Sequence, residues 1–143
     1  MKVKVSSVLE ASPENVFPLL QKISILQQVS APLVSFKPVK RIDDEWKVGK
    51  EYEFYLYLLG IPLGKHTIRL KDIDAKNRIL ISEESGTIAK VWNHRIELQE
   101  YEGKTLYTDE VDIHAGFLTF FVWVFANIFY RHRQRNWKSK DIL

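Results

Sequence analysis

The spacing of apolar residues divides the first part of the chain into a strand and two short helices. Residues 2–10 alternate apolar and polar side chains, which predicts a strand. Ser12-Pro13-Glu14 predicts the start of a helix, because serine caps helices and proline suits the first turn. A second short helix is predicted over residues 23–29, and the pattern ends at Ala31-Pro32.

From residue 33 to residue 114 the apolar period is two, which is typical of strands that have one face in a core. Strands are predicted over residues 34–42, 50–59, 65–73, 78–84, 90–101 and 104–114. Pro38 places the first of these at a sheet edge, since proline cannot donate a backbone hydrogen bond. In the second, Tyr52, Phe54 and Leu56 share one face, and residues 60–64 are predicted to turn the chain.

Residues 117–140 predict one long helix, because they contain neither proline nor glycine and are far longer than a strand. One face is expected to cover the sheet, and it consists of Phe117, Phe121, Val124, Phe125, Ile128 and His132, widened by Leu118, Val122 and Phe129. The outer side is expected to carry Thr119, Phe120, Trp123, Ala126, Asn127, Tyr130 and Arg131. The apolar run of residues 117–130 reaches roughly 21 Å at about 1.5 Å per residue, short of the ~30 Å core of a membrane.

The last two strands can be aligned by their turn. A two-residue turn at Glu102-Gly103 pairs Tyr101 with Lys104. The residues that then share the inward face are Trp92, His94, Ile96 and Leu98 with Tyr107, Asp109, Val111 and Ile113. Each set is the more apolar half of its own strand, so the hydrophobic pattern supports the same register. His94 and Asp109 are therefore predicted to be diagonal neighbours on the inward face.

A buried Asp109 needs a partner, because burial disfavours a charged carboxylate. His94 could supply one, and so could Arg131 if the long helix brings it across the sheet. Such a pair either fixes core packing or forms a polar anchor or acid–base pair in a ligand cavity, and the residues alone leave both open.

The composition limits the classes of function. At 143 residues the chain suits one domain, residues 1–143, with one core. Cysteine is absent and the four histidines lack metal-ligand spacing, so no metal and no cofactor are expected. The net charge of +3 is small and no nucleic-acid module is recognisable, so no nucleic-acid partner is expected. The start, MKVKVSS, lacks an apolar signal segment, and a cytoplasmic location is expected.

Several segments, by their order and spacing, resemble the START-like (SRPBCC) helix-grip superfamily, and most of all its small stand-alone bacterial ligand-binding branch. The resembling residues are Leu9 to Phe17, Ala31-Pro32 with Phe36, Gly60-Ile61-Pro62-Leu63, Trp92-Asn93-His94, Thr108-Asp109-Glu110-Val111 and Ile128-Phe129-Tyr130-Arg131-His132. The superfamily includes pollen-allergen-like proteins, lipid-transfer domains and polyketide cyclases. This chain departs from the branch at Ser85-Gly86-Thr87, where an Arg-Gly-Pro-like turn is common, and at His114-Ala115-Gly116, where Pro-Gly is common.

The resemblance implies an α+β fold in which a curved antiparallel sheet of six or seven strands wraps around a long C-terminal helix, with two short helices after the first strand. It implies a hydrophobic cavity between sheet and helix that binds, carries or senses a lipid or polycyclic molecule. It also implies that His94, Asp109 and Arg131 stand where that branch has the same residue types. The residues expected to contact the ligand are Tyr52, Phe54, Leu56, Trp92, His94, Ile96, Tyr107, Asp109, Val111, Phe121, Phe125 and Arg131.

A second function stays open, because the superfamily includes enzymes. A cyclase or dehydratase would use His94 as a general base oriented by Asp109, with Arg131 stabilising an enolate. No Ser or Cys nucleophile motif, phosphate loop or dinucleotide fingerprint is present. Phe120 and Trp123 are candidates for contact with a second copy of the chain, as a homodimer, or with a membrane surface.

Overall fold

The computed structural model describes residues 1–143 and consists of one sheet and three helices. The strands are β1 (Lys2–Leu9), β2 (Val34–Pro38), β3 (Glu51–Leu58), β4 (Ile61–Asp74), β5 (Ile79–Gly86), β6 (Val91–Tyr101) and β7 (Lys104–His114). The helices are α1 (Pro13–Leu20), α2 (Ile23–Ser30) and α3 (Thr119–Ser139), the last preceded by a 3₁₀ turn at Gly116–Leu118. The predicted α+β class and order of elements are confirmed.

All seven strands form one antiparallel sheet in the order β1-β7-β6-β5-β4-β3-β2. The sheet curls around α3, which packs on β1, β7 and α2. The short helices α1 and α2 connect the two edge strands, β1 and β2. The edge position of β2 agrees with the prediction from Pro38. This is the helix-grip architecture, and it places one face of the sheet opposite α3.

The predicted register of the last hairpin is confirmed. Tyr101 pairs with Lys104, His94 lies opposite Val111, and Asp109 lies opposite Ile96. The inward side chains of both strands are buried, as the alternating pattern requires. The diagonal placement of His94 and Asp109 follows from this register.

The prediction of a turn over residues 60–64 is wrong. The chain reverses within two residues, Leu59 and Gly60, which both have positive φ, of 48° and 87°. Positive φ at both central positions is typical of the tight hairpin turn that matches strand twist. β4 therefore begins at Ile61. Pro62 lies in the part of β4 that pairs with β3 only, so the N–H that proline lacks is not needed for a hydrogen bond to β5.

The predicted orientation of α3 is also wrong for most of its residues, although Val122 and Phe129 are buried as predicted. Phe117 and Phe121, expected to face the sheet, are 92% and 68% exposed, whereas Ala126 and Tyr130, expected outside, are 0% and 1% exposed. The face that packs inward consists of Val122, Ala126, Phe129, Tyr130, Arg133, Gln134 and Trp137. Apolar residues lie on every side of the first half of α3, so their spacing there selects no face. In the second half, Gln134 and Asn136 turn inward because the interior offers them hydrogen-bond partners.

Two apolar clusters form the core of the protein. The larger one joins α1 and α2 to Tyr52, Phe54 and Trp137. The smaller one joins β1 and β7 to Val122 and Phe129 of α3. None of the three helices has a stretch long and apolar enough to cross a membrane.

Candidate ligand-binding site

A cavity of about 340 Å³ lies between the sheet and the inner face of α3. Residues of α2, β3, β4, β5, β6 and α3 line it, and 24 of the 29 lining residues are hydrophobic. Large buried side chains form part of its wall, among them Trp46, Leu70 and Trp137. Near its mouth, Ile88 and Phe121 line the cavity and are also exposed to solvent. The arrangement is that of a largely apolar pocket with one open end.

Only some of the residues predicted to contact the ligand line the cavity. The predicted residues that line the cavity are Leu56, Trp92, His94, Ile96, Phe121 and Phe125. Those that are buried but do not line it are Tyr52, Phe54, Tyr107, Asp109 and Val111. Tyr52 and Phe54 pack on Trp46 in the larger cluster, with ring centroids 4.9 Å and 6.3 Å away. Asp109 lies one hydrogen bond behind His94, so it acts on the cavity through that ring.

Of the two partners considered for Asp109, His94 contacts it and Arg131 does not. Arg131 is exposed, and its Nη1 donates to the backbone oxygen and to Oδ1 of Asn127, both at 3.1 Å. It lies in a polar surface groove together with Lys4, Arg135 and Lys138. The inward cation of α3 is Arg133, because the helix faces the sheet with a different side from the predicted one.

The polar residues of the cavity wall meet in one place on the sheet. They are His66, Ser82, Glu84, His94 and Arg133. Ser82 lies opposite His94, and Glu84 of β5 is the diagonal neighbour of His66 on β4 and of His94 on β6. Glu84 consequently accepts from Ser82 Oγ at 2.6 Å and lies 2.8 Å from His66 Nε2. Its other close neighbour is His94 Nδ1, at 3.7 Å.

A hydrogen-bonded chain continues from this cluster through β7 into α3. His94 Nε2 lies 2.6 Å from Asp109 Oδ1. The side-chain amide of Gln134 donates to Asp109 Oδ2 at 2.8 Å and to the backbone oxygen of Val5 at 2.7 Å. Asp109 is completely buried, and every one of these contacts bridges two elements. The chain therefore fixes the position of α3 against β1 and β7.

The electrostatics of the cluster favour charged side chains. Burial acts to raise the pKa of Glu84, but hydrogen bonds and charge from His66 and His94 outweigh burial and hold this pKa far below its ordinary value. Burial acts to lower the pKa of His94, but the carboxylates of Asp109 and Glu84 outweigh burial and raise it. Glu84 is therefore ionised and His94 favours the imidazolium form. Both ring nitrogens of His94 face carboxylates.

Arg133 is a buried cation beside this cluster. It is 6% exposed, and its guanidinium carbon lies 5.6 Å from the ring centre of Phe129 and 5.3 Å from that of Tyr130. Burial acts to lower the pKa of Arg133, but Tyr107, Asp109, Tyr130 and Glu84 around it outweigh burial and raise it. The guanidinium is therefore charged, and it contacts aromatic faces rather than a carboxylate.

Tyr130 completes the polar part of the wall. Trp92 Nε1 donates to its hydroxyl oxygen at 2.7 Å. Burial, followed by the charge of Glu84, raises the pKa of Tyr130 well above its ordinary value, so the hydroxyl keeps its proton. No group of three or more His, Cys, Asp or Glu side chains is arranged to hold a metal ion.

Glu84, His66, Arg133 and Gln134 were not among the predicted site residues. In β5 the apolar pattern favours Ile79 and Ile81 as the inward residues, but the inward ones are Leu80, Ser82 and Glu84. A β-bulge between Leu70 and Asp72 shifts the register of β4 against β5, and no turn motif in the sequence predicts this bulge. The one signal that points to Glu84 is the pairing of β5 with β6. Residues of β5 that lie opposite the inward residues of β6 must also face inward, and Glu84 lies opposite Trp92.

Comparison with protein-family models gives no match, and comparison with curated proteins gives none. Comparison with solved structures gives matches over nearly the whole chain. A protein from Chromobacterium violaceum superposes with a TM-score of 0.76 at 11% identity, covering 95% of this chain and 93% of that one. A START superfamily protein from Mycobacterium smegmatis gives 0.72 at 13% identity, with 94% and 92% covered. The structure of Ara h 8.0201 gives 0.64 at 14% identity, with 95% and 97% covered. Identities this low establish the fold and not the function. The protein has the helix-grip fold of the START-like (SRPBCC) superfamily.

Proposed function

We propose that the protein binds an apolar small molecule between the sheet and α3, as a carrier or a sensor. The observation that carries this proposal is the cavity, whose wall is apolar except for five polar side chains that meet in one place. Small-molecule sites commonly combine an apolar wall with a few convergent polar groups. A volume of about 340 Å³ is at the low end of the usual range, which suits a single hydrocarbon chain or a few fused rings.

Catalysis in the same cavity has less support. A general base needs a free lone pair directed at the substrate, but both nitrogens of His94 face carboxylates and the ring favours its charged form. Arg131, the expected partner of a developing enolate, lies on the exposed side of α3. Binding therefore accounts for more of the site than a cyclase or dehydratase reaction does.

The neutral fluorescent probe N-phenyl-1-naphthylamine tests the proposal. Protein purified without detergent is expected to bind it with saturable fluorescence enhancement. Leu56→Trp adds bulk at a lining position of β3, and it should weaken this binding by about tenfold or more because the larger ring occupies the cavity. Native mass spectrometry of the same preparation should show an apolar molecule that co-purifies with the wild type and not with the variant.

The matched control is Leu106→Trp, the same substitution at a half-buried position of β7 that does not line the cavity. Its probe affinity should stay within about threefold of the wild type, because packing changes there do not reach the cavity. Equal affinities for the wild type and both variants would place the probe outside the cavity and contradict the proposal.

We also propose that the residues around the cavity mouth contact a lipid surface transiently. The apolar rim, as we call this patch, consists of six exposed residues, Leu59, Ile61, Ile88, Phe117, Phe120 and Phe121. Ile88 and Phe121 line the cavity, and the other four neighbour lining residues along the chain or across β3 and β4. Phe120 stacks on Trp123. Trp123 is half-buried, and its Nε1 donates to the backbone oxygen of Lys2 at 2.8 Å. Exposed Lys65 and Lys90 flank the rim in sequence. Apolar rings bordered by cations are typical of membrane-surface contacts.

Phe117→Ser/Phe120→Ser tests the apolar rim without changing a residue of the cavity wall. The variant should co-sediment with phosphatidylcholine vesicles about tenfold less than the wild type, since it loses two exposed rings that would enter the interface. Tyr101→Ser is the control, because Tyr101 is also an exposed aromatic residue but lies at the turn of the last hairpin, at the opposite end from the rim. Unchanged co-sedimentation contradicts the lipid contact, and a concentration-dependent dimer in sedimentation velocity would assign the rim to a second copy instead.

A further inference from the structure

Arg133 presents hydrogen-bond donors that nothing in the protein accepts. A guanidinium has five N–H donors and no acceptor. In this structure the Arg133 Nε is buried without a partner, and the guanidinium forms neither a hydrogen bond nor an ion pair with the rest of the chain. Buried cations are normally paired, because burial removes their hydration. This cation lies on the wall of the cavity and is directed at the space a ligand would occupy.

The carboxylates closest to the site are already engaged by other donors. Glu84 accepts from Ser82 and contacts His66, and Asp109 contacts His94 and accepts from Gln134. Neither carboxylate turns toward the guanidinium. The two carboxylates of the site therefore leave the donors of Arg133 without an anionic partner.

Tyr130 adds a second donor on the same part of the wall. Its hydroxyl oxygen accepts from Trp92, and its own hydrogen has no acceptor in the protein. The Tyr130 ring lies beneath the guanidinium of Arg133, and the Phe129 ring lies beside it. These aromatic faces hold the guanidinium in place without using its N–H groups. Two neighbouring donors are thus positioned before any ligand arrives.

We propose that the ligand of this cavity is an apolar monocarboxylic acid whose carboxylate pairs with Arg133 and accepts from the hydroxyl of Tyr130. This inference rests on the proposed function and adds the chemical class of the ligand. A carboxylate fits best because its two oxygens match the guanidinium fork and its charge offsets the unpaired cation. The hydrocarbon part lies among the apolar residues of the wall, and the volume of about 340 Å³ limits it to one chain or a few rings.

Displacement of N-phenyl-1-naphthylamine by dodecanoate and by methyl dodecanoate tests the inference. The two competitors share a chain and a carbonyl and differ in the charged second oxygen. The wild type is expected to prefer dodecanoate by about 10- to 100-fold. Arg133→Met keeps a long apolar side chain and removes the charge, so it should lose this preference while it still binds the ester. Arg133→Lys keeps the charge without the fork, and it should show an intermediate preference.

Arg131→Met is the matched control, since Arg131 is an exposed arginine two positions earlier on the same helix. Its preference for dodecanoate should equal that of the wild type. The inference is overturned if the wild type shows no preference, or if Arg133→Met and Arg133→Lys both keep it. Neither result contradicts the proposed function if the wild type binds the probe and Leu56→Trp weakens that binding. Failure of the probe to bind at all would overturn the proposed function itself.

Discussion

Replacing Asp109 by alanine should lower the free energy of unfolding by about 3–5 kcal/mol, as is typical when one partner of a buried ion pair is removed. Asp109 is completely buried between His94 Nε2, at 2.6 Å, and the amide of Gln134, at 2.8 Å. Without the carboxylate, Nε2 of the His94 ring and one amide hydrogen of Gln134 remain in the interior with no acceptor. Urea denaturation followed by circular dichroism measures the loss.

Asp112→Ala on the same strand is the control. Asp112 is half-exposed, and its contacts with the N-terminal amine, at 3.6 Å, and with His114, at 3.4 Å, are solvated. Surface ion pairs contribute about 0–1 kcal/mol, so this variant should unfold close to the wild type. Similar losses in the two variants would show that the buried pair contributes no more than a surface pair.

The effect of Asp109→Ala should also depend on pH. Because the pKa of His94 is raised in the folded protein, the stabilisation from its charge is fully present below the ordinary value of 6.5. It is lost as the pH rises through the higher folded-state pKa. The difference in stability between wild type and variant should therefore be larger at about pH 6 than at about pH 9. A difference that grows with pH would contradict a charged His94.

Trp137→Ala should lower the free energy of unfolding by about 3–5 kcal/mol, the usual cost of truncating a buried tryptophan. Trp137 is 1% exposed, its ring centre lies 5.7 Å from that of Tyr107, and it lines the cavity. The truncation therefore removes packing between α3 and the larger apolar cluster. It also lengthens the cavity, so hexadecanoate should gain affinity relative to dodecanoate in the probe displacement assay.

Trp123→Ala, about four turns before Trp137 on the same helix, is the control for this substitution. Trp123 is half-buried, and its main polar contact is the bond from Nε1 to the backbone of Lys2. The loss should be about 1–2 kcal/mol, with no change in the preference for chain length. If the two tryptophans cost the same, then Trp137 does not anchor α3 to the core.

Local signals account for the parts of the fold that could be predicted. The order of elements follows from period-two and helical spacing together with Ser12-Pro13 at the start of α1. The register of β6 and β7 could be predicted because a two-residue turn and two matching apolar faces give the same alignment. That register brings His94 to Asp109, which is the part of the candidate site that follows from residues near one another in a single hairpin.

The rest of the site depends on contacts between residues far apart in the chain. β5 turns Glu84 inward although its isoleucines alternate in the other sense, because His66, Ser82 and His94 meet that carboxylate from two neighbouring strands and from β5 itself. α3 turns Gln134 inward because Asp109 and Val5 accept its amide hydrogens. A polar group is stable in the protein interior only when it has hydrogen-bond partners. When those partners lie on other strands, the spacing of residues in the group's own segment does not reveal them.

The sequence by itself determined the elements, their order and the one hairpin whose turn sets its register, since those depend on each segment's own residues. The tertiary structure decided which face of α3 meets the sheet, and with it that the inward cation is Arg133 and not Arg131. The physical reason is that a helix with apolar residues on all sides has no preferred face of its own. Its orientation is set by the hydrogen bonds and packing that only the assembled sheet can offer.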